Sequence, residues 1–350
     1  MKSQTKQLII LAVVLAAALA VYVGLSLWNG EKQAADAGDE SQQDLVELTD
    51  LAQLSFTAES GETLSFTKQE DAWVSGDEPE LPLDQDLLDA IETQFCGLAY
   101  ERALEEHDAL ADYGLDPAAR TVTGTDASGT ACTVLLGDEV DYEGIYYAMV
   151  EGSNVVYTVS GSLFNAISYD LMGLAQTQTL PELGEDTIQS ITLAAGGSEL
   201  TLNKLTENTQ QIQEQETGEV DENGDPVMEE VTVNVDVYHW FLSDDLQVPE
   251  GNAALSDVLD ELSALQFSSV YAFQPTEEEL ADLGLAGDAA VLTVECTDGS
   301  RFQLVLGNLD ETGESCYARA NGSDLIHLIA SSKVDSLLAM TEETLTAAVE

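Results

Sequence analysis

The sequence predicts an α+β protein made of two tandem copies of one module, each an antiparallel sheet packed with helices, after an N-terminal transmembrane helix. Three observations lead to this prediction: an apolar run near the N-terminus, a stretch that occurs twice, and alternating segments interrupted by segments of helical period around each copy. They divide the chain into a cytoplasmic tip with a transmembrane helix (residues 1–28), a flexible linker (29–45), a first module (46–180) and a second module (181–350).

The apolar run extends from Leu8 to Trp28 without a charged residue. At 1.5 Å per residue, a helix of this length crosses the ~30 Å hydrocarbon core of a bilayer. Lys2 and Lys6 precede it and acidic sequence follows, so the N-terminus is predicted in the cytoplasm and the bulk of the chain outside the cell membrane. The alternative is a signal peptide cleaved after Ala18-Leu19-Ala20. Because the apolar run continues past that point, we favour a single-pass anchor.

Beyond this run the chain is polar at first and acidic throughout. Residues 29–45 have no apolar period and are typical of a flexible tether. The whole chain has 66 acidic residues against 10 Lys and Arg, a net charge of −56. Binding to nucleic acid needs a clustered basic surface, which this sequence lacks, so nucleic-acid partners are excluded. The acidity predicts a solubilising surface, and it leaves open the attraction of cations or of a basic partner.

The repeated stretch aligns Leu110–Asp138 with Leu280–Asn308 at one offset and without a gap. Identical residues include glycines at corresponding turns, which is typical of a duplicated module. The identities in the first copy are Leu110, Ala111, Asp112, Gly114, Leu115, Ala119, Thr123, Gly129, Leu136 and Gly137.

In the first module, alternation on both sides of Ser60-Gly61-Glu62 predicts a hairpin, and Ala72-Trp73-Val74 predicts a third strand. Apolar residues at helical spacing then predict a helix from Asp84, its N-cap, to Leu98. A second, short helical segment is predicted over Leu104–Tyr113, ending at Gly114. Four strands (120–126, 131–136, 146–150, 155–159) and a closing helix over Leu163–Leu171 complete the module.

The second module repeats this order, with strands at 188–193 and 200–202, Trp240 in the place of Trp73, a helix around Leu255–Leu265, and the meander from Leu280. An inserted hairpin, residues 203–236, breaks the symmetry. Alternation around Asn223-Gly224 predicts its tight turn, and its composition, largely polar on both faces, predicts that it projects from the body.

The sequence predicts no catalytic residue, no cofactor and no metal ligand. None of His107, His239 and His327 has a second His or a Cys at ligand spacing. The run Asp221-x-Asn223-x-Asp225 begins like a calcium loop, but it lacks the Gly and Glu that such a loop needs at its sixth and twelfth positions. We therefore interpret that run as a solvated hairpin tip. His327 takes the place of Tyr157 in the other copy, and Trp73 and Trp240 correspond, so we interpret these three as structural residues.

The four cysteines, Cys96, Cys132, Cys296 and Cys316, allow two interpretations. An exported domain favours disulfides. The repeat favours free thiols, because Cys132 aligns with Phe302, and Cys132 and Cys296 share the faces of apolar strand neighbours. We predict four buried free thiols.

The order of motifs resembles the domain-of-unknown-function family 4340 over about Leu54–Met340. The residues that carry the resemblance are Leu110, Tyr113, Gly114, Leu115, Pro117, Gly129, Leu136, Gly137, Tyr146, Tyr147, Val156 and Tyr157. The second copy departs from it, with Ala286-Gly287 in the place of Asp116-Pro117. The resemblance implies a bacterial, membrane-anchored extracytoplasmic protein, a role beside ABC-type transport components, and no catalytic residue.

The expected function is therefore non-enzymatic: a binding or scaffolding accessory of an envelope complex such as an ABC-type transporter. Two alternatives remain open. One is an envelope hydrolase that uses paired carboxylates, for which the chain has many acidic residues. The other is a surface that binds cations with low affinity.

Overall fold

The computed structural model describes residues 43–141, 144–220, 226–242 and 246–347. The predicted transmembrane helix, nearly all of the predicted linker, and the calcium-like run from Asp221 to Asp225 lie outside these residues. In the described ranges, no helix combines the length and the apolar character needed to cross a membrane.

The first module forms a nine-stranded antiparallel sheet in the order β1-β5-β9-β8-β7-β6-β2-β3-β4. Its strands are β1 (Gln43–Asp44), β2 (Gln53–Thr57), β3 (Thr63–Gln69), β4 (Ala72–Ser75), β5 (Ala99–Leu104), β6 (Arg120–Thr125), β7 (Ala131–Glu139), β8 (Ile145–Val150) and β9 (Val156–Ser160). Its helices are α1 (Gln85–Cys96) and α2 (Ser162–Ala166), with 3-10 turns at Leu110–Tyr113 and Met172–Leu174.

The second module forms another nine-stranded antiparallel sheet, in the order β13-β12-β11-β10-β15-β16-β17-β18-β14. Its strands are β10 (Ile188–Ala195), β11 (Ser198–Val220), β12 (Pro226–Leu242), β13 (Leu246–Gln247), β14 (Ser269–Phe273), β15 (Ala290–Cys296), β16 (Arg301–Leu309), β17 (Ser315–Ala320) and β18 (Leu325–Ala330). Its helices are α3 (Ala253–Ser263), α4 (Glu277–Asp282), α5 (Ser331–Leu338) and α6 (Glu342–Thr346).

Eight strands of each sheet share one order. The run β4-β3-β2-β6-β7-β8-β9-β5 in the first sheet corresponds to β12-β11-β10-β15-β16-β17-β18-β14 in the second. The ninth strand differs, because β1 pairs with β5 whereas β13 pairs with β12. Pairing registers also repeat: Arg120 pairs with Leu136 as Ala290 pairs with Leu306, and a bulge follows each leucine. The two modules are thus tandem copies of one antiparallel fold.

Glycines at equivalent positions of the two modules let the turn before β6, and the matching turn before β15, pack closely against the sheet. A Cβ on Gly137 would lie 2.1 Å from the carbonyl oxygen of Tyr113, and a Cβ on Gly307 would lie 2.3 Å from that of Leu283. Gly114 and Gly284 occupy the left-handed region, with φ of 66° and 72°. The repeated glycines are therefore explained by close backbone approach and by turn geometry.

Each module has its own apolar core between the sheet and its helices. Trp73 and Trp240 are 2% and 3% exposed, which confirms their predicted place in the cores. The carboxylate of Asp84 accepts the Leu87 N–H at 3.2 Å and caps α1, as predicted. Asn252 caps α3 by accepting the Leu255 N–H at 2.9 Å, and its amide also donates to the carbonyl oxygen of Thr344 at 3.0 Å.

Replacing these two caps with alanine is expected to have unequal effects. Asp84→Ala removes one cap and should cost about 1 kcal/mol of unfolding free energy. Asn252 is buried, and Asn252→Ala also removes a donor from the α6 carbonyls. It should cost roughly 2–3 kcal/mol. Urea denaturation of both variants measures the difference, and equal losses would contradict this account of the cap.

Two predicted helices are shorter in the structure. Over Leu104–Tyr113 only the last four residues are helical, and Leu104 ends the unpredicted strand β5. Half of β5 is exposed and its apolar residues do not alternate, so it is held mainly by pairing with β9 and β1, with Tyr100 and Leu104 packed against apolar neighbours. The closing helix stops at Ala166, and the Asp170 carboxylate accepts the Gly173 N–H at 2.7 Å to start a separate turn.

The modules contact each other through the turn Met172–Leu174 and strand β14. Val270 and Leu325 of the second module pack into the core of the first. His327 is fully buried, stacks on Phe267 with 4.0 Å between ring centroids, and accepts the Gln178 N–H at Nε2 (3.1 Å). Burial lowers the pKa of His327 to about 4, so the ring is neutral at pH 7. The neutral His327 therefore links Gln178, in the segment between the two modules, to the second sheet.

Candidate functional site

One cross-strand pair occupies the same place in both modules. Lys68 of β3 pairs with Trp73 of β4, and Lys204 of β11 pairs with Trp240 of β12. Each indole N–H donates to a carboxylate, of Asp89 at 3.1 Å in the first module and of Glu185 at 2.9 Å in the second. We call this cross-strand pair the rung: Lys68–Trp73 in the first module and Lys204–Trp240 in the second. The two modules are alike up to this rung.

Beyond the rung the modules differ. In the first, Gln69 pairs with Ala72, and Glu70 and Asp71 close the hairpin with φ of 52° and 67°. Positive φ at both central residues is the mark of a two-residue type I′ turn. In the second, β11 and β12 continue as a pair as far as Val220 and Pro226. The inserted hairpin, predicted from the sequence over 203–236, thus lies between Lys204 and Trp240.

The root of this hairpin is fixed by a buried lysine. The Lys204 ammonium donates to the backbone carbonyls of Glu185 and Asp186, the latter at 3.1 Å, and lies 4.5 Å from the ring centroid of Tyr238. Burial lowers the pKa of Lys204, while the nearby carboxylates of Glu185, Asp186 and Asp236 act in the opposite direction. The root is therefore held by a core cation and its carbonyl partners.

An open cavity of about 250 Å³ lies beside the root, between β12 and the start of α3. Tyr238, His239 and Trp240 form one wall, and Asn252 and Leu255 form part of the other. His239 Nε2 lies 3.5 Å from a carboxylate oxygen of Glu207. Because Asn252 caps α3 and Trp240 packs in the core, these lining residues have structural roles.

The two faces of the projecting hairpin differ. Val231, Val233, Val235 and Val237, the valine row, share one face of β12 and are half-buried. Their partners on β11 are the mainly polar Gln213, Gln211, Thr209 and Glu207, with exposed Leu205 at the base. The opposite face of β12 presents exposed Glu230, Thr232, Asn234 and Asp236. The expectation of two polar faces was wrong for the face with the valine row, because those valines alternate with polar residues along a single strand.

Both long edges of the hairpin are unpaired. In the part of the chain that the structure describes, β10 pairs with β11 only as far as Asn203, and β13 pairs with β12 only at Phe241 and Leu242. The sequence has no Lys or Arg from Leu205 to Leu242. Its exposed carboxylates include Glu207, Glu214, Glu216, Glu229, Glu230 and Asp236. Unpaired edges of this kind can accept an added strand.

The three histidines lie on separate elements. Both ring nitrogens of His107 contact backbone carbonyl oxygens, of Asp108 at 2.7 Å and Asn154 at 3.2 Å. His239 lies at the hairpin root, and His327 at the contact between modules. Across residues 43–347, leaving out the gaps named above, no group of three His, Cys, Asp or Glu side chains is placed to hold a metal ion.

Two carboxylates of the first module share one cation. Lys68 Nζ lies 2.6 Å from Glu92 and 3.4 Å from Asp50. Burial works against the charge of Lys68, but the hydrogen bonds and charges of Glu92 and Asp50 outweigh it and raise the pKa. This arrangement is an ion-pair cluster above Trp73, whose ring centroid lies 4.9 Å from Nζ.

All four cysteines are free thiols, as predicted. Only Cys316 is fully buried; Cys96, Cys132 and Cys296 are half-buried against the cores. Cys296 on β15 and Cys316 on β17 lie on strands that do not pair with each other, because β16 lies between them.

Cys96 is expected to react slowly with alkylating reagents. Burial first, and then the charges of Glu92 and Asp50, raise its pKa from 9.0 to about 11. At pH 8.5 the thiolate fraction, and hence the rate with iodoacetamide, should be roughly a hundredfold below that of the unfolded chain. The rate should rise with pH towards 11. Mass spectrometry of labelled peptides measures this, and equal native and denatured rates would refute it.

Comparison with known proteins gives one family. A family model described as "Domain of unknown function (DUF4340)" matches residues 73–234 and 240–346, so its two segments begin at the corresponding tryptophans, Trp73 and Trp240. No curated protein and no solved structure matches the chain.

Proposed function

The chain belongs to the DUF4340 family, and from that premise we propose that it is a non-enzymatic binding or scaffolding accessory of an envelope complex, such as an ABC-type transporter. In this proposal the helix at Leu8–Trp28 crosses the cell membrane once, with the N-terminus in the cytoplasm. Both modules then lie outside, on the tether of residues 29–45. The uncharged apolar run and its flanking charges support this orientation.

The observation that carries the proposal is the β11–β12 hairpin. The second module extends it far past the Lys204–Trp240 rung, whereas the first module turns two residues after the equivalent Lys68. Where the structure describes side-chain burial in the extension, no residue between Lys204 and Trp240 is fully buried. The extension does present a valine row and two unpaired edges. An element that leaves the core unchanged but offers strand edges and apolar side chains is suited to binding another protein.

Crosslinking of the intact protein tests this function. A carbodiimide couples carboxylates to amines without a spacer, and this chain supplies many carboxylates and few lysines. After extraction from its own membrane in mild detergent, we expect crosslinks from this chain to lysines of an envelope protein. A protein that stays uncrosslinked and monomeric at native abundance would contradict the proposal.

A variant with a shortened hairpin serves as the control. Leu205 pairs with His239 as Gln69 pairs with Ala72 in the first module, so residues 206–238 can be replaced by Asn-Gly, which forms a two-residue turn between paired positions. This keeps Lys204 and Trp240 and copies the hairpin of the first module. Crosslinks made by the hairpin should disappear in this variant, and the remaining fold should stay intact.

A further inference from the structure

We propose, building on the binding function above, that the partner contributes an extended basic strand that adds to the free edge of β12. Its apolar side chains would lie beside the valine row, and its alternate Lys or Arg side chains would lie beside the carboxylates of the opposite face. The site is the edge of β12 from Glu229 to Tyr238.

The side chains decide between the two free edges. Residues on neighbouring strands of a sheet contact each other across the same face, and such pairs stabilise the sheet. At the edge of β12 an added strand meets four valines on one face. At the edge of β11 the same face offers Gln213, Gln211, Thr209 and Glu207. An apolar row on an incoming strand therefore meets a continuous row of valines beside β12, whereas beside β11 it meets only Leu205, at the base of that face.

Charge decides the kind of partner. The face of β12 opposite the valine row carries Glu230 and Asp236, and Glu229 stands at the outer end of the row. No Lys or Arg between Leu205 and Leu242 neutralises these carboxylates. Opposite charges across a strand pair are favourable and like charges are not. A second copy of this chain, with a net charge of −56, would place carboxylates against carboxylates, so a basic strand fits and a homodimer does not.

The edge also limits the length of the added strand. β13 occupies the edge of β12 at Phe241 and Leu242, and Trp240 accepts a hydrogen bond from the Val248 N–H at 2.8 Å. Within the free edge, the valine row from Val231 to Val237 covers about 24 Å at roughly 3.4 Å per residue. The partner segment should therefore be about seven to nine residues long, with apolar and basic residues alternating.

A synthetic peptide provides the probe. The peptide has four Lys and four Val in alternation, and its binding to the full-length protein in a nonionic detergent is followed by fluorescence anisotropy. The comparison peptide replaces each Val with Pro, which keeps the charge but cannot pair as a strand. We expect the Lys-Val peptide to bind at least tenfold more tightly than the Lys-Pro peptide. Equal affinities would mean simple attraction between opposite charges and would overturn the inference.

Two double variants locate the site. Val233→Asp with Val235→Asp places carboxylates in the valine row and should weaken binding of the Lys-Val peptide at least tenfold. Thr232→Asp with Asn234→Asp adds the same charge on the opposite face and should leave binding equal or tighter. Unchanged binding in the first variant, or unchanged binding after residues 206–238 are replaced by Asn-Gly, would refute the site.

These experiments distinguish a failure of the basic-strand inference from a failure of the proposed binding function. The hairpin lies outside both cores, so each variant should keep its sheets folded. Circular dichroism and thermal melting of each variant check this. If carbodiimide crosslinks an envelope partner but the Lys-Val peptide ignores the hairpin, the binding function stands and this inference fails.

Discussion

Gly137→Ala is expected to destabilise the first module by about 3 kcal/mol, the upper part of the usual range for overpacking. The new Cβ would lie 2.1 Å from the carbonyl oxygen of Tyr113, a backbone atom that cannot move without disturbing the turn Leu110–Tyr113. Gly307→Ala should cost a similar amount in the second module, where the carbonyl oxygen of Leu283 lies 2.3 Å from the new atom. Calorimetry should show the affected transition lowered by roughly 6–10 °C.

A second pair of repeated glycines provides the control. Gly129 and Gly299 have φ of 88° and 85°, and a Cβ on either would meet nothing within 4 Å. Asparagine tolerates the left-handed region, so Gly129→Asn and Gly299→Asn should each cost no more than about 1 kcal/mol. If Gly137→Ala and Gly307→Ala are as mild as these controls, the close approach of turn and sheet is not a constraint of the duplicated fold.

Acid should weaken the contact between the modules through His327. Its pKa in the folded protein is about 4, below the ordinary 6.5, because burial disfavours the charged ring. The stability that the neutral ring contributes is therefore complete above about pH 6.5 and is lost as the pH falls through 4. The loss amounts to about 3 kcal/mol, at 1.36 kcal/mol per pKa unit. Protonation would also place an N–H at Nε2, facing the Gln178 N–H that it now accepts.

His327→Phe isolates this contribution. The carboxylates titrate in both proteins, so the difference in unfolding free energy between wild type and His327→Phe reports the imidazole alone. That difference should shift by about 3 kcal/mol against the wild type from pH 7 to pH 4. Tyr157→Phe, at the corresponding position of the first module, should show no such shift. A pH-independent difference for His327→Phe would mean that the ring is not buried as described.

Much of the fold could be predicted because the signals were local and occurred twice. The repeat from Leu110 and Leu280, the cap at Asp84 and the turn around Gly61 each depend on neighbouring residues, and each is present in the structure. β5 and β14 could not be predicted, because strands with few buried residues near the end of a sheet are held largely by their partners and lack a periodic pattern of their own. The same holds for the contact of Leu325 with the other core, which depends on tertiary packing.

The candidate site was predicted only in outline. The insertion and its turn were visible from Asn223-Gly224, although the turn itself lies outside the described residues. The alternation of the valine row along β12 is visible in the sequence. Periodicity alone, however, does not predict that the outer edge of this strand stays unpaired. The shared Lys–Trp rung needed the structure as well, since Lys68 and Lys204 match only after their strands are paired.

Amide hydrogen exchange of the full-length protein tests whether the chain contains two copies of one sheet, the second with a projecting hairpin. We expect matching slow exchange in β6–β9 and β15–β18, and much faster exchange in residues 207–237 than at the Lys204–Trp240 rung. The Lys-Val peptide should slow exchange in β12 and leave β6–β9 unchanged. Slow exchange of the free hairpin would mean that it does not project from the sheet, and fast exchange throughout β15–β18 while β6–β9 stays protected would mean that the two modules are not copies of one sheet.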